Sequence, residues 1–315
     1  MDMKKLHALS ATAVAAMFAA CTCPSTFREV PAPGRVTTVE QVNALSRCQV
    51  KLYGTTLLAH AESVPLVRAL VSRGAEPNGR LIIGGREYYG SAMLLADNAG
   101  VVRALGAAGC DPNIQGGQDN AVPLCNAIRS GRPDLAEALL AVGADPNRTD
   151  SYCETPLFLA ASALDARMCR LLIAKGAKVD VGRSSDGSTP LIAALSAGGS
   201  PDASLATKME VAGILLSAGA KATQADAAGT QPVHWAPLEL LPTLISAGAD
   251  VNAVNSQGRT PLFFGGGRSR GEFLLERGVD INARDISGYT AFDAVPEAAF
   301  KSYLLSCGGR SGKAL

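Results

Sequence analysis

Gly143-Ala144-Asp145-Pro146-Asn147, followed at once downstream by Thr155-Pro156-Leu157-Phe158-Leu159-Ala160-Ala161, is the stretch that decides the fold. Threonine is a helix N-cap, because its hydroxyl accepts from a free backbone N–H. Proline after it suits the first helical position, where the missing N–H was an orphan anyway. Leucine and the alanines form an apolar stripe whose small members let helices approach closely. A second apolar run, Met168-Cys169-Arg170-Leu171-Leu172-Ile173, stops at Gly176. Glycine there supplies the left-handed conformation that ends a helix. The unit reads as helix, short turn, helix, glycine stop, loop.

The unit recurs. Gly-Ala-Asp-x-Asn or a variant begins at Gly74, Gly109, Gly143, Gly176, Gly219, Gly248 and Gly278, at spacings of 35, 34, 33, 43, 29 and 30. The partner motif is clearest at Thr155, Thr189, Gln231 and Thr260, with weaker starts expected at Thr55, Ser91, Val122 and Thr290. A period near thirty-three marks a stacked solenoid. Such a chain works by offering a surface rather than by closing around a substrate.

Thr-Pro-Leu-x-x-Ala paired with Gly-Ala-Asp-x-Asn resembles the ankyrin repeat, and the resemblance covers about residues 52–308. It implies an all-α fold: an ankyrin-repeat solenoid of about eight stacked helix-turn-helix units, the last a cap, with short hairpin-like inter-repeat loops. It also implies a structural role for His234, bonding the neighbouring loop, and a protein partner bound by the loop tips and the concave side. Mapped by motif, tip positions are Ser151, Tyr152 and Glu154, then Ser185, Asp186 and Ser188, then Ser256, Gln257 and Arg259, then Ile286, Ser287 and Tyr289. The sixth unit offers only Ala227, Ala228 and Thr230, a poor contact surface.

Two departures from the period stand out. The first loop is long and reads Leu81-Ile82-Ile83-Gly84-Gly85-Arg86-Glu87-Tyr88-Tyr89, two runs around Gly-Gly that predict a β-hairpin. Arg80, Arg86, Tyr88 and Tyr89 on it have the composition of a binding hot spot; packing of the tyrosines on the adjacent loop is the alternative. In the fifth unit, Thr189 to Gly219 spans 30 residues against 21 from Thr155 to Gly176, so an insertion is expected around 196–208, as a loop away from the tips.

The chain ends differ from the repeats. Lys4 and Lys5 precede an uncharged, mainly apolar stretch from Leu6 to Ala20, the pattern of a signal peptide over residues 1–20. It is short for a membrane span. Phe18-Ala19-Ala20-Cys21 resembles a bacterial lipobox, with Phe in place of the usual Leu, and makes Cys21 the candidate lipidation site; plain secretion with cleavage nearby is the alternative. Thr22 then resembles an outer-membrane sorting signal. Residues 21–37, with Pro24, Pro31, Pro33 and Gly34, read as an extended tether. Thr38-Val39-Glu40-Gln41 is a capping-box pattern opening an N-terminal capping helix within 38–51. Glu297–Ser306 is the expected last helix and 309–315 a loose tail.

Net charge is +1 over 315 residues, and Lys4, Lys5 and Asp2 account for that +1, leaving the remainder about neutral. This argues against nucleic acid and against polybasic membrane binding, so membrane contact is expected only through a lipid anchor. Apolar residues make 47% and aromatics only 5%, which suits close helix packing in one elongated monomer. Eight cysteines occur; Cys110 and Cys153 in loops are the better bridge candidates, but no pairing follows from spacing and buried or idle thiols are the other reading, while Cys169 is expected in the core. No paired Cys-x-x-Cys set suggests zinc.

Enzyme chemistry has little to stand on. Beyond the first segment the histidines are His60 and His234, and no Ser/His/Asp set can be assembled. Gly267-Arg268-Ser269-Arg270-Gly271 matches a nucleophile-elbow pattern but has no strand before it, and reads as a glycine-rich turn between two helices. Gly265-Gly266-Gly267 lacks the lysine of a phosphate cradle. The sequence thus points to a non-enzymatic protein-binding (lipo)protein of a bacterial periplasm or outer membrane, with no cofactor and no metal. Neutralisation of a periplasmic toxin and a thiol-dependent envelope stress role are its rivals.

Overall fold

In a computed structural model, residues 36–83, 86–116, 121–152, 154–197 and 205–312 are described. The expected signal segment, Cys21 and most of the expected tether lie outside them, as do Cys153 and residues 198–204. About 52% of the chain is helical, and the fold is an all-α ankyrin-repeat solenoid. The chain forms two compact units, one up to Ala127 with Asp134–Asp145, the other Ile128–Pro133 with Pro146–Leu315.

The first unit opens with α1 (Val39–Ala44) and α2 (Arg47–Ala59). Thr38 and Gln41 do form the expected capping box, but a second box at Ser46 and Gln49 restarts the chain. The single capping helix expected within 38–51 is therefore two helices. Because α2 runs through Thr55, that threonine is not an N-cap; its hydroxyl donates to the carbonyl of Glu76 at 2.7 Å. Helix α3 (Val64–Ser72) leads into β1 (Asn78–Ile83) and β2 (Arg86–Ser91). These pair antiparallel, with Ile83 opposite Arg86 and Asn78 opposite Ser91, so the hairpin expected from the Gly-Gly signal is present. A 3-10 turn (Ala92–Leu94), α4 (Ala99–Ala107), α5 (Pro123–Arg129) and α6 (Pro133–Ala141) follow.

The second unit contains α7 (Pro156–Ser162) with α8 (Ala166–Ala174), and α9 (Pro190–Ser196) with α10 (Leu205–Ser217). The fifth repeat's extra length is thus partly helical, since residues 205–208 belong to α10 rather than to a loop. Then come α11 (Pro232–Trp235), a 3-10 turn (Leu238–Leu240), α12 (Leu241–Ser246), a second 3-10 turn (Pro261–Phe264), α13 (Gly267–Glu276), α14 (Ala291–Ala294) and α15 (Ala298–Ser306). The turn expected at 267–271 is corrected: Gly266 is the N-cap at φ +93°, and Gly267 already lies in α13.

One device closes every repeat. Eight glycines, from Gly74 to Gly308, sit at φ between +82° and +95°, and the N–H of the next residue reaches back to a leucine carbonyl. Those leucines are Leu70, Leu105, Leu139, Leu172, Leu215, Leu244, Leu274 and Leu304, each at most 2% exposed. This is a Schellman stop, in which orphan carbonyls are satisfied while an apolar side chain anchors the turn.

A second device joins successive repeats. The Asn78 amide donates to the carbonyl of Gly109 at 3.0 Å, and its oxygen accepts the N–H of Asp111 at 2.8 Å. Asn113 does the same to Gly143 and Asp145. In the second unit Asn147 engages Gly176 and Lys178, Asn252 engages Gly278 and Asp280, and Asn282 engages Gly308 and Arg310. Asp180 cannot donate, but its carboxylate accepts the N–H of Lys221 at 2.9 Å.

The expected loose tail is held as far as residue 312. Thr290 donates to the Arg310 carbonyl at 2.6 Å, and Asp293 accepts from Ser311 Oγ at 2.6 Å and from the Gly312 N–H at 2.7 Å.

Candidate protein-binding surface

The loop tips of the second unit are small, self-satisfied turns. Asp150 accepts the N–H groups of Tyr152 and Glu154; Asn255 accepts those of Gln257 and Arg259; Asp285 accepts those of Ser287 and Tyr289. Neighbouring tips are strapped by main-chain bonds: Ala227 N–H to Asp186 C=O at 2.7 Å, Ser256 to Ala228 at 2.8 Å, Ile286 to Gln257 at 2.9 Å. The backbone is committed inward, which leaves the tip side chains as the variable outer layer.

Large apolar groups stand out in that layer. Ile286 is 77% exposed and Tyr152 62%, and Val254, which the motif mapping missed, is also exposed. The Tyr152 ring lies under the Arg129 guanidinium at 5.0 Å. Arg129 pairs with Asp150 and, at 2.9 Å, with Glu154; Arg183 bonds Glu154 at 3.1 Å and Asp186 at 3.0 Å. Glu154, expected to be an open contact residue, is only 15% exposed and clamped between two arginines, so it organises the tip. Asp186 is likewise engaged, and the Arg183 guanidinium holds its carboxyl below the usual carboxylate range. Arg259 reaches the buried Asp285 carboxylate at 3.0 Å, while Ser151 and Gln257 are exposed and Tyr289 is half-buried. Arg80, Arg86, Tyr88 and Tyr89 lie on the first unit's hairpin, with side chains outside the described set.

His234 is fully buried, accepts the Gln231 N–H at 3.1 Å, and places Nε2 3.2 Å from the Arg259 carbonyl of the next loop. That is the role the resemblance implied. Burial pushes its pKa below the ordinary 6.5, which favours the neutral ring. His60 sits exposed at the end of α2.

Arg270, inside the nucleophile-elbow decoy, has an unforeseen role. It is 4% exposed, and its guanidinium donates five bonds to carbonyls: Ala236 (2.9 Å), Pro261 (2.9 Å), Gly265 (2.6 Å), Val233 (3.2 Å) and His234 (3.0 Å). Helix α11 and the 261–264 turn are single turns that end with unpaired carbonyls, and one side chain satisfies both. Burial pushes its pKa down to about 10, which still leaves it charged at neutral pH. Beside it, Leu195, Leu205, Lys208, Trp235, Pro237 and Leu238 line a groove of about 540 Å³.

Cys110, a bridge candidate from its loop position, is instead a buried thiol, the other reading the sequence left open. Its thiol is free, buried, and 3.0 Å from Ser91 Oγ; burial pushes its pKa up. Cys125 and Cys169 are also buried, with burial pushing Cys169 up to about 12, while Cys307 is free and exposed. Among the described residues no group of three His, Cys, Asp or Glu is placed to hold a metal.

The family model for ankyrin repeats matches residues 124–226 in three copies. The chain carries ankyrin repeats. It is 37% identical to Protein PhlB of Serratia liquefaciens over 110 residues, 35% of this chain and 44% of that protein. It is 27% identical to E3 ubiquitin-protein ligase KEG of Arabidopsis thaliana over 76% of this chain and 15% of that one. To human Neurogenic locus notch homolog protein 1 it is 32% identical over 44% of this chain and 5% of that one. The chain thus spans less than half the length of each of these relatives. Ankyrin repeats imply a protein-binding role.

Proposed function

We propose that this chain is a non-enzymatic protein-binding module that engages its partner through the loop tips of the second unit. One observation carries the reading: tips whose N–H groups at Tyr152, Glu154, Ile286, Ser287 and Tyr289 are all bonded nonetheless present the Tyr152 and Ile286 side chains to solvent, 62% and 77% exposed. Rigid turns carrying exposed aromatic and aliphatic groups supply contact area at little ordering cost. Thiol chemistry is the weaker reading, since Cys110, Cys125 and Cys169 are buried.

The place of action we propose is the bacterial envelope, with Cys21 as a lipid anchor. Support comes from the basic start, the apolar stretch and the Phe18-Ala19-Ala20-Cys21 motif. A toxin-neutralising partner is a special case of the same reading. The binding test uses the purified chain as bait against detergent-solubilised envelope, beside a Tyr152→Ala, Ile286→Asp double variant. A specific partner retained by the parent and lost by the variant, at unchanged thermal midpoint, supports the tips. Equal retention by both refutes them. For the anchor, Cys21→Ser should release the chain from membranes; an unchanged membrane fraction refutes lipidation.

A further inference from the structure

We propose that the seam between the fifth and sixth repeats is a hinge, at which repeats six to eight open away from repeats four and five. The first observation is a missing rung. Thr223 occupies the position that Asn147, Asn252 and Asn282 hold in their repeats, each three residues before its turn residue, here Asp226. Threonine is too short to span to the next glycine turn, and no bond joins Thr223 to Gly248 or Asp250 among the described residues. On either side a rung is made: Asp180 keeps its bond from the Lys221 N–H, and Asn252 makes both of its bonds, to Gly278 and Asp280.

The second observation is the packing. Helix α8 lies along α10, whereas across the seam only the first helices, α9 and α11, pack on each other, and no pairing of comparable extent joins the second helices α10 and α12. At the seam, the end of α9 and start of α10 (Leu195, Leu205, Lys208) face Trp235, Pro237 and Leu238 across the open groove, and Trp235 is 42% exposed. The tips behave oppositely. Ala227 and Ala228 remain strapped to Asp186 and Ser256 by main-chain bonds. The straps lie at the N-terminal ends of the first helices and the groove at their C-terminal ends. Motion therefore pivots at the tips and widens the groove.

Each block is tied within itself. Repeats four and five share the Arg183–Glu154 and Arg170–Glu210 ion pairs and the α7–α9 contact. Repeats six and seven share Arg270, His234 and the Asn252 rung; seven and eight share Arg259–Asp285 and the Asn282 rung. In a repeat array the weakest interface is where cooperativity breaks. Opening also removes the neighbour that supports α11, a four-residue helix too short to persist alone.

Amide hydrogen exchange on the full chain tests this, comparing the parent with Thr223→Asn and with Thr223→Val as a shape control. The added rung should slow exchange across residues 232–246 by roughly five- to thirtyfold, the factor that one or two kcal/mol brings. Residues 156–174 should be unchanged, and the valine variant should match the parent. Equal exchange in all three proteins would overturn the hinge. So would slowing that extends uniformly over 156–174, which would mean that the array opens only as a whole.

Discussion

Replacing Arg270 by methionine keeps the apolar stem and deletes the guanidinium. Five carbonyls, those of Val233, His234, Ala236, Pro261 and Gly265, lose their donor at once. A buried polar group left unpaired costs about 1–3 kcal/mol, so the gross loss is about 5–15 kcal/mol. Against it stands the relief of removing a charge held at 4% exposure, an effective penalty of several kcal/mol. The net is expected at about 3–5 kcal/mol, the usual cost of removing one partner from a buried charged network, and a large part of the ~5–15 kcal/mol that holds a typical domain together. Urea unfolding followed by far-ultraviolet ellipticity and by Trp235, the chain's one tryptophan, measures it. Arg270→Lys, with three donors for five acceptors, should fall between parent and methionine variant. A methionine variant within about 1 kcal/mol of the parent would falsify the idea that one cation terminates both short helices.

Two glycines give opposite signs. A Cβ on Gly271 would lie 2.2 Å from the buried Phe300 ring, so Gly271→Ala should destabilise by ~1–3 kcal/mol. Gly213 in α10 has nothing within 4 Å, so Gly213→Ala should stabilise by ~0.5–1 kcal/mol; thermal midpoints of the two variants check both signs. Asp293 gives a pH test. Burial opposes its ionisation, but bonds from Ser311, Thr290 and Gly312 hold its pKa at about 2, below the ordinary 3.8. A depressed carboxylate stabilises above its unfolded pKa, and this is lost as pH falls from about 4 toward 2. Exchange at residues 309–312 should therefore rise in that window, and Asp293→Asn should abolish the dependence.

The repeat fold was legible because each motif residue acts through local backbone chemistry. Thr155 and Thr189 cap where the motif says, and the eight glycines all take positive φ. What failed was non-local. Thr55 matched the cap pattern, yet Ser46 and Gln49 upstream had already started a helix that swallowed it. Residues 309–312 looked loose, because nothing nearby in sequence marks Asp293 as their anchor. Arg270 could not be read as a core residue, since its partners lie up to 37 positions away. At the tips the positions were read correctly as surface loops. The division between Glu154, clamped by Arg129 and Arg183, and the exposed Tyr152 and Ile286 depends on contacts between loops. A signal that was available and overlooked is the leucine that precedes each stop glycine by four residues, as Leu139 precedes Gly143.

The asparagine rungs address only main-chain atoms of the following repeat, a glycine carbonyl and the N–H two residues on. They are therefore indifferent to the side chain at that second site, which is Asp111, Asp145, Lys178, Asp280 or Arg310 without loss of the bond. Lys178, which weakens the written motif, leaves the joint intact. Coupling and vocabulary are thus separate in this array. A repeat can be duplicated, exchanged or recoloured in charge, and the next one will still accept it, provided that its predecessor ends in asparagine.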